Sequence, residues 1–250
     1  MRPQEHDIMR SVEDHYWWYQ ALRQHVAASI NPATPKFSLL DAGCGTGGML
    51  ATLRQKFPEA ELTGIDASDQ AVDLTAGRQL AARLMAANVN EIPFPGDLFD
   101  FVVSLDVWSH VGVDDALAAH ETHRVLRPQG KLILNLAALE FLKGAHDKAV
   151  DVVRRYNRLQ VRTLLEGAGF EIERLTYWNA TLLPPIALVR WLSRMRLART
   201  PAEARSDFRP LPGPVNSMLR GVAALELNAS RHLSLPFGTS VFAVARKKHG

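Results

Sequence analysis

The sequence predicts an α/β protein. It is a doubly wound, mostly parallel seven-stranded sheet with an antiparallel strand at the C-terminus, an N-terminal helical lid and a helical insertion before the last strand. Three observations predict it. From residue 37 onward, apolar runs of strand length alternate with stretches of helical spacing, the pattern of a parallel sheet covered on both faces. The first of these runs ends in a glycine-rich turn that opens a helix. The second ends in an aspartate about twenty residues further on, as in nucleotide-binding βαβ units.

The elements follow in order. Residues 1–36 form the lid, with one or two helices between Ile8 and Ile30 around the aromatic cluster Tyr16-Trp17-Trp18-Tyr19. The core spans residues 37–178. Its strands are Phe37–Asp41, Glu61–Asp66, a short one near Ala81–Ala87, Phe99–Leu105, Lys131–Leu136 and Glu171–Trp178. Helices fall at Gly48–Lys56, Ser68–Ala76, Asp114–Val125 and Val161–Gly167, with Ser68 as an N-cap and Gly167-Ala168-Gly169 as a stop. Pro128-Gln129-Gly130 reads as a turn before the fifth strand. Residues 179–238 are the insertion, with helices over Ile186–Leu197 and Val215–Ala229, and residues 239–250 hold the last strand, Thr239–Arg246, and a tail.

Composition narrows the class. The chain has 250 residues, 47% hydrophobic and 22% charged, as in ordinary globular proteins. The single cysteine, Cys44, excludes an intrachain disulfide framework and a Cys-rich zinc site. The N-terminus lacks a signal-peptide core, and no apolar run is long enough to span a membrane, so the cytoplasm is the expected location. The net charge is +3, but Arg174–Gly250 carries twelve Lys and Arg against three Asp and Glu, so the remainder is net negative. That asymmetry suits either an anionic partner or a solvated basic surface. Aromatic residues are too sparse there to suggest nucleic acid.

The chemistry concentrates at Asp41-Ala42-Gly43-Cys44-Gly45-Thr46-Gly47-Gly48. Glycines let the backbone turn sharply and let a ligand approach without Cβ interference. The next helix presents unpaired N–H groups. Asp66 can accept hydrogen bonds from both ribose hydroxyls of a nucleoside. The spacing is not the dinucleotide fingerprint G-x-G-x-x-G, and a carboxylate at Asp41 would repel a pyrophosphate. It would favour an ammonium. The ligand implied is a nucleoside with an amino-acid tail, such as S-adenosylmethionine (SAM).

At this point the chain resembles the class I SAM-dependent methyltransferases, in particular the small-molecule type 11, UbiE-like branch. Five segments carry the likeness: Leu40–Gly47, Gly64–Ser68, Glu91–Pro95 with Phe99–Val103, Asp106–Val111, and Arg124–Leu132. The resemblance implies SAM as cofactor, S-adenosylhomocysteine (SAH) as product, and no metal. It implies a cofactor set of Asp41, Gly43, Cys44, Gly45, Gly47, Asp66, Ala67, Asn88, Val89 and Leu105; Tyr16 and Trp17 are read as a lid on the cofactor, as core packing of the N-terminal helix, or both, and Arg23 as a partner of the cofactor carboxylate or a surface arginine. Asn88 departs from the aspartate usual among relatives at the adenine position. His15–Tyr19, His146-Asp147, Arg154-Arg155-Tyr156 and Thr176–Asn179 resemble a bacterial subgroup with members in glycan and secondary-metabolite biosynthesis. Members commonly have a histidine where this chain has Val152.

Methyl transfer from a sulfonium is an in-line displacement, so alignment in a dry pocket supplies much of the catalysis. A base is needed only for acceptors that must lose a proton. His110 is read as that base or as a helix-start residue packing on the ligands; histidine titrates near neutrality. Asp106 is read as an acceptor-orienting group, a group closing on the cofactor tail, or a cap. His146 faces the substrate or solvent. Trp108, Arg155, Tyr156 and Tyr177 are the expected substrate contacts. The Ile186–Leu197 segment, apolar with Arg190, Arg194 and Arg196 around it, suits a substrate lid, a peripheral membrane contact or ordinary packing. The expected partner is a small-molecule acceptor, with anionic and lipid-linked compounds among the candidates, and no nucleic acid. Oligomeric state is unread. The competing functions are a catalytically degenerate SAM-fold binding protein and an NAD(P)-dependent oxidoreductase.

Overall fold

The structure, a computed structural model, describes residues 3–188, 211–230 and 233–248. Two helices, α1 (Pro3–Val12) and α2 (Trp17–Ser29), precede β1 (Ser38–Ala42), α3 (Gly48–Lys56), β2 (Glu61–Asp66), α4 (Asp69–Ala76) and β3 (Arg83–Ala86). There follow β4 (Phe99–Leu105), α5 (Asp115–Val125), β5 (Leu126–Ala137), a 3-10 turn at Glu140–Leu142, α6 (Ala145–Ala149), α7 (Arg158–Gly167) and β6 (Phe170–Trp178). Residues 183–188 are helical (α8), and α9 (Gly213–Ser230) leads to β7 (Ser240–Lys247).

The seven strands form one sheet in the order β3-β2-β1-β4-β5-β7-β6. All neighbouring pairs from β3 to β5 are parallel, and β7 runs antiparallel between β5 and β6. The period-2 alternation of side chains sends successive residues to opposite faces. Leu40, Val102, Leu132 and Leu134 pack on one side with Ala118 and Ala119 of α5 and Val161 and Leu165 of α7. Leu39, Phe101, Val103 and Ile133 pack on the other with Leu22 and Val26 of α2, Leu50 and Leu53 of α3, and Ala223 and Leu227 of α9. Burying each such Leu or Val contributes roughly 1.5–3 kcal/mol.

Local signals set the helix ends. The Ser68 hydroxyl accepts from the Ala71 N–H, and the Asp114 carboxylate accepts from Ala116 and Leu117. Asn157 and Gln160 form a capping box, so α7 begins three residues before the expected Val161.

One expectation changes. The Pro128–Gly130 turn is built into β5, which already pairs at Leu126 with Phe99; a register irregularity and a φ of 67° at Gln129 absorb the bend. The N-terminal helix packs into the core as well as bordering the cavity, the two roles open for it in the sequence. Helix α2 buries Trp17, Ala21, Leu22 and Val26, and α9 docks on it where Asn216 Oδ1 accepts from the Trp17 N–H at 2.9 Å. Most of the expected Ile186–Leu197 helix lies outside the described residues. Among the described residues no helix is long and apolar enough to cross a membrane.

Candidate active site

The strand order reverses between β1 and β4, and ligands of open α/β sheets bind outside the carboxyl ends of the strands at such a point. A cavity of about 560 Å³ opens there. Its floor is the glycine turn, held to β2 by the Gly43 and Cys44 N–H groups, which both donate to the Ile65 carbonyl at 2.8 and 2.9 Å. Gly43 has φ 94°, and a Cβ there would lie 2.1 Å from Val107. Gly47 does not line the cavity. Its φ of 82° and its closeness to Thr75 give it a packing role in the turn, behind the residues that line the cavity.

Asp66 ends β2 with Oδ2 accepting from the Gly45 N–H at 2.9 Å and Oδ1 accepting from the Ser68 N–H at 3.0 Å. Each oxygen keeps a lone pair for a further donor. Asp41 is buried to 1% exposure, and its Oδ2 has no hydrogen-bond partner. Burial, then the Asp66 and Glu13 charges, push its carboxyl up to about 8. Asn88 and Val89 lie further along the same wall, with Asn88 Oδ1 accepting from the Asn90 N–H at 2.9 Å. Ala67, Leu105, Tyr16 and Trp17 complete the lining from the expected set. Cys44 is buried, and desolvation pushes its thiol up, so the sulfur is not a nucleophile.

The junction of α1 and α2 closes the floor through a charge cluster that sequence reading missed. Glu13 Oε1 accepts from Arg78 Nη2 at 2.6 Å and from the Thr46 hydroxyl, and Glu13 Oε2 pairs with Arg23 Nη1 at 3.7 Å. Arg23 Nη2 donates to the Glu13 carbonyl at 2.7 Å. Arg23 Nη1 is buried and makes no hydrogen bond, on a residue that lines the cavity. The only sequence signal was two acids, Glu13-Asp14, beside the aromatic run; their partner Arg78 is 65 residues away from Glu13.

On the far wall stand Asp106, His110 and Arg155. Asp106 has φ 60°, and both its carboxylate oxygens accept from Asn135 Nδ2, at 3.1 and 3.0 Å. Burial raises its carboxyl to about 7 against the Asn135 hydrogen bonds and the Arg155 charge. His110 Nδ1 lies 3.2 Å from the Val107 carbonyl. For that contact to be a hydrogen bond, Nδ1 carries the proton and Nε2 is left as an acceptor. Burial lowers the His110 pKa, so the ring is neutral at pH 7. Arg155 is tied to Asp147 at 2.8 Å and to the Ala138 carbonyl. Val107, Val111, Val113, Leu142, Val150 and Val152 make the rest of this side apolar.

Three expected substrate contacts sit elsewhere. Trp108 is fully buried in the core; Tyr156 donates its hydroxyl to Asp115 at 2.7 Å; and the Tyr177 hydroxyl accepts from the Arg158 N–H at 3.2 Å. None of them lines the cavity. Their aromatic and apolar bodies are consumed by packing α5 and α7 against the sheet. The side chain of His146 lies outside the described residues.

Residues 40–134 match a family model described as a methyltransferase domain. The matched segment is a methyltransferase domain of type 11. The chain is 34% identical over 161 residues to a malonyl-[acyl-carrier protein] O-methyltransferase of Herminiimonas arsenicoxydans, covering 60% of this chain and 59% of the relative. It is 26% identical over 197 residues to a trans-aconitate 2-methyltransferase of Sinorhizobium fredii, covering 71% and 75%. The first curated relatives are thus matched over about three fifths of their length. The methyltransferase fold extends over the chain: a complex of the Haloferax volcanii Trm112 methyltransferase activator with a methyltransferase superposes with a TM-score of 0.65 at 17% identity, covering 99% of this chain and 95% of that one.

SAM is the cofactor of the methyltransferase domain, and the residues fit it. The Asp41 oxygen that lacks a hydrogen bond would suit an ammonium, Arg23 Nη1, ion-paired but without a hydrogen bond, a carboxylate, Asp66 a ribose, and Asn88 with the Val89 N–H an adenine.

Proposed function

We propose that this protein transfers the methyl group of SAM to a small-molecule oxygen acceptor that enters over the apolar wall beside His110 and Asp106. The observation that carries the reading is the buried Asp41 carboxylate with an unpartnered oxygen in a glycine-lined cavity. Leaving such a group unsatisfied costs on the order of 1–3 kcal/mol, which an amino-acid ammonium would recover.

Bound SAM supplies a methyl group on a positively charged sulfur. The chain's residues do the rest. Asp41, Arg23 and Asp66 fix the two ends of the cofactor, and the enclosing Trp17 and Leu105 keep water out. His110, neutral and with Nε2 as acceptor, takes the proton of a hydroxyl acceptor as the new carbon–oxygen bond forms. A carboxylate acceptor needs no base and uses only the alignment. The two relatives named above act, by their names, on malonyl and aconitate groups, both acids, which favours carboxylic acids as the first acceptors to test. Biosynthesis of secondary metabolites or glycans is the setting this reading favours.

The test is SAH release, followed by mass spectrometry, from the purified chain with SAM and a panel of small carboxylic acids and alcohols. Acceptor-dependent SAH with a mass gain of one methyl group supports the reading. SAH binding without turnover on any acceptor class would instead favour a binding protein.

A further inference from the structure

Asp106 is held in an unusual way. It follows β4, whose Val103 lies opposite Asp41 of β1, so it lines the cavity beyond Asp41, at the carboxyl end of the neighbouring strand. The Asp106 N–H donates to the Asn135 carbonyl at 2.8 Å, while the Asn135 side-chain amide donates to both carboxylate oxygens. The amide cannot flip, because the Trp178 indole N–H, a donor only, is bonded to Asn135 Oδ1 at 2.6 Å. Trp178 is in turn stacked on Trp18 and His25 of α2, at ring-centroid distances of 6.1 and 5.9 Å. The carboxylate therefore has a fixed orientation and neutral hydrogen-bond partners.

Charged and titratable groups of several elements surround it. Arg155, beyond β5, acts on Asp106 but its guanidinium is bonded to Asp147. Tyr19 of α2 feels both Asp106 and Glu13. His110 is neutral. Glu13 is held by Arg78 and Arg23, and Asp41 closes the β1 side. Among the described residues, no cation within 4.0 Å pairs with Asp106.

We propose that Asp106 is the residue that distinguishes the charged sulfonium donor from its neutral thioether product, with Asn135 and Trp178 as the positioning residues that aim it. A desolvated carboxylate with neutral partners is stabilised by a permanent monocation and not by a thioether. Product release follows from the same geometry: once the methyl group leaves, the sulfur is uncharged and the attraction is gone. The inference rests on the methyltransferase reading above. Asp41 faces an ammonium that donor and product share, so it drops out of any comparison between them.

Proton linkage gives the sign. Burial holds the Asp106 carboxyl near 7 in the free protein. A cation beside it favours the ionised form, so donor binding lowers that value and expels a proton. The experiment is calorimetric titration of the full chain with SAM and with SAH at pH 6 and pH 8, in two buffers of different ionisation enthalpy. At pH 6 SAM is expected to release more protons than SAH. The preference for SAM over SAH is expected to grow several-fold from pH 6 to pH 8. In Asp106→Asn both differences vanish, with the preference falling about tenfold at pH 8. Trp178→Phe keeps a ring on Trp18 and His25 but removes the indole donor, and gives an intermediate preference. Equal proton release by the two ligands in the wild type, or an unchanged preference in Asp106→Asn, overturns the inference while leaving the methyltransferase reading standing. Failure of the wild type to bind either ligand overturns both.

Discussion

Glu13 and Arg78 meet at 2.6 Å in an ion pair whose side chains are 6% and 8% exposed, and this pair ties the N-terminal helices to the cofactor turn. Arg78 Nε also donates to the Thr46 carbonyl at 2.7 Å, so one guanidinium spans lid and turn. Removing one partner of a buried pair leaves the other uncompensated. Glu13→Gln is expected to lower stability by about 2–3 kcal/mol in urea denaturation and to weaken SAH binding, because Arg23 Nη1 loses its carboxylate partner as well. A variant as stable as the wild type would show that the cluster is solvated in solution.

Asp41 sets a trade between stability and binding. In the folded protein it keeps its proton up to about pH 8, whereas an unfolded aspartate loses it near pH 4. The folded state therefore binds more protons across that window, and Asp41 makes stability fall as pH rises through it. Asp41→Asn is expected to be more stable than the wild type at pH 8 by on the order of 2 kcal/mol, with little difference at pH 4. The same variant should bind SAH at least about tenfold more weakly. Thermal melts at the two pH values, read beside calorimetry, check both halves.

His110 makes a kinetic prediction. Its lowered pKa keeps the basic form available to more acidic pH than a free histidine would. With a hydroxyl acceptor, kcat should hold to more acidic pH than a free histidine base would allow, and His110→Ala should reduce it on the order of a hundredfold. With a carboxylate acceptor the same substitution should change kcat little. An equal loss with both acceptor classes would make His110 a packing residue.

Asn88 bears on the adenine. Its Oδ1 already accepts from the Asn90 N–H and has one lone pair left. Restoring a carboxylate with Asn88→Asp should tighten SAH binding a few-fold, since a charged acceptor strengthens the hydrogen bond from an exocyclic amine. Weaker binding in this variant would place the adenine elsewhere in the cavity.

The glycine turn, Asp41, Asp66 and Asn88 were legible because their positions depend on local chain geometry: strand end, tight turn, helix start. The cavity wall around the glycine turn is made mostly of such residues. The opposite wall was not legible to the same degree. Trp108, Tyr156 and Tyr177 carry the right chemistry for a substrate contact, but burial against α5 and α7 is a tertiary outcome with no local signature. Glu13, Asn135 and Trp178 were missed for the converse reason. Their partners Arg78, Asp106 and Trp18 are 29 residues or more away from them in the chain, and no spacing rule links them. The long β5 was shortened in the sequence reading because Pro-Gln-Gly signals a turn, whereas the sheet accommodates it as an irregularity.

The most direct test of the account is calorimetric titration of the purified chain with SAH and, separately, with NADH, using Asp66→Ala as the control. Asp66 is chosen because it holds Gly45 and Ser68 and faces the cavity, where it is assigned to the ribose. The account predicts saturable SAH binding to one site, strongly weakened in Asp66→Ala, and no comparable binding of NADH. Absence of SAH binding, or a preference for NADH, would contradict it.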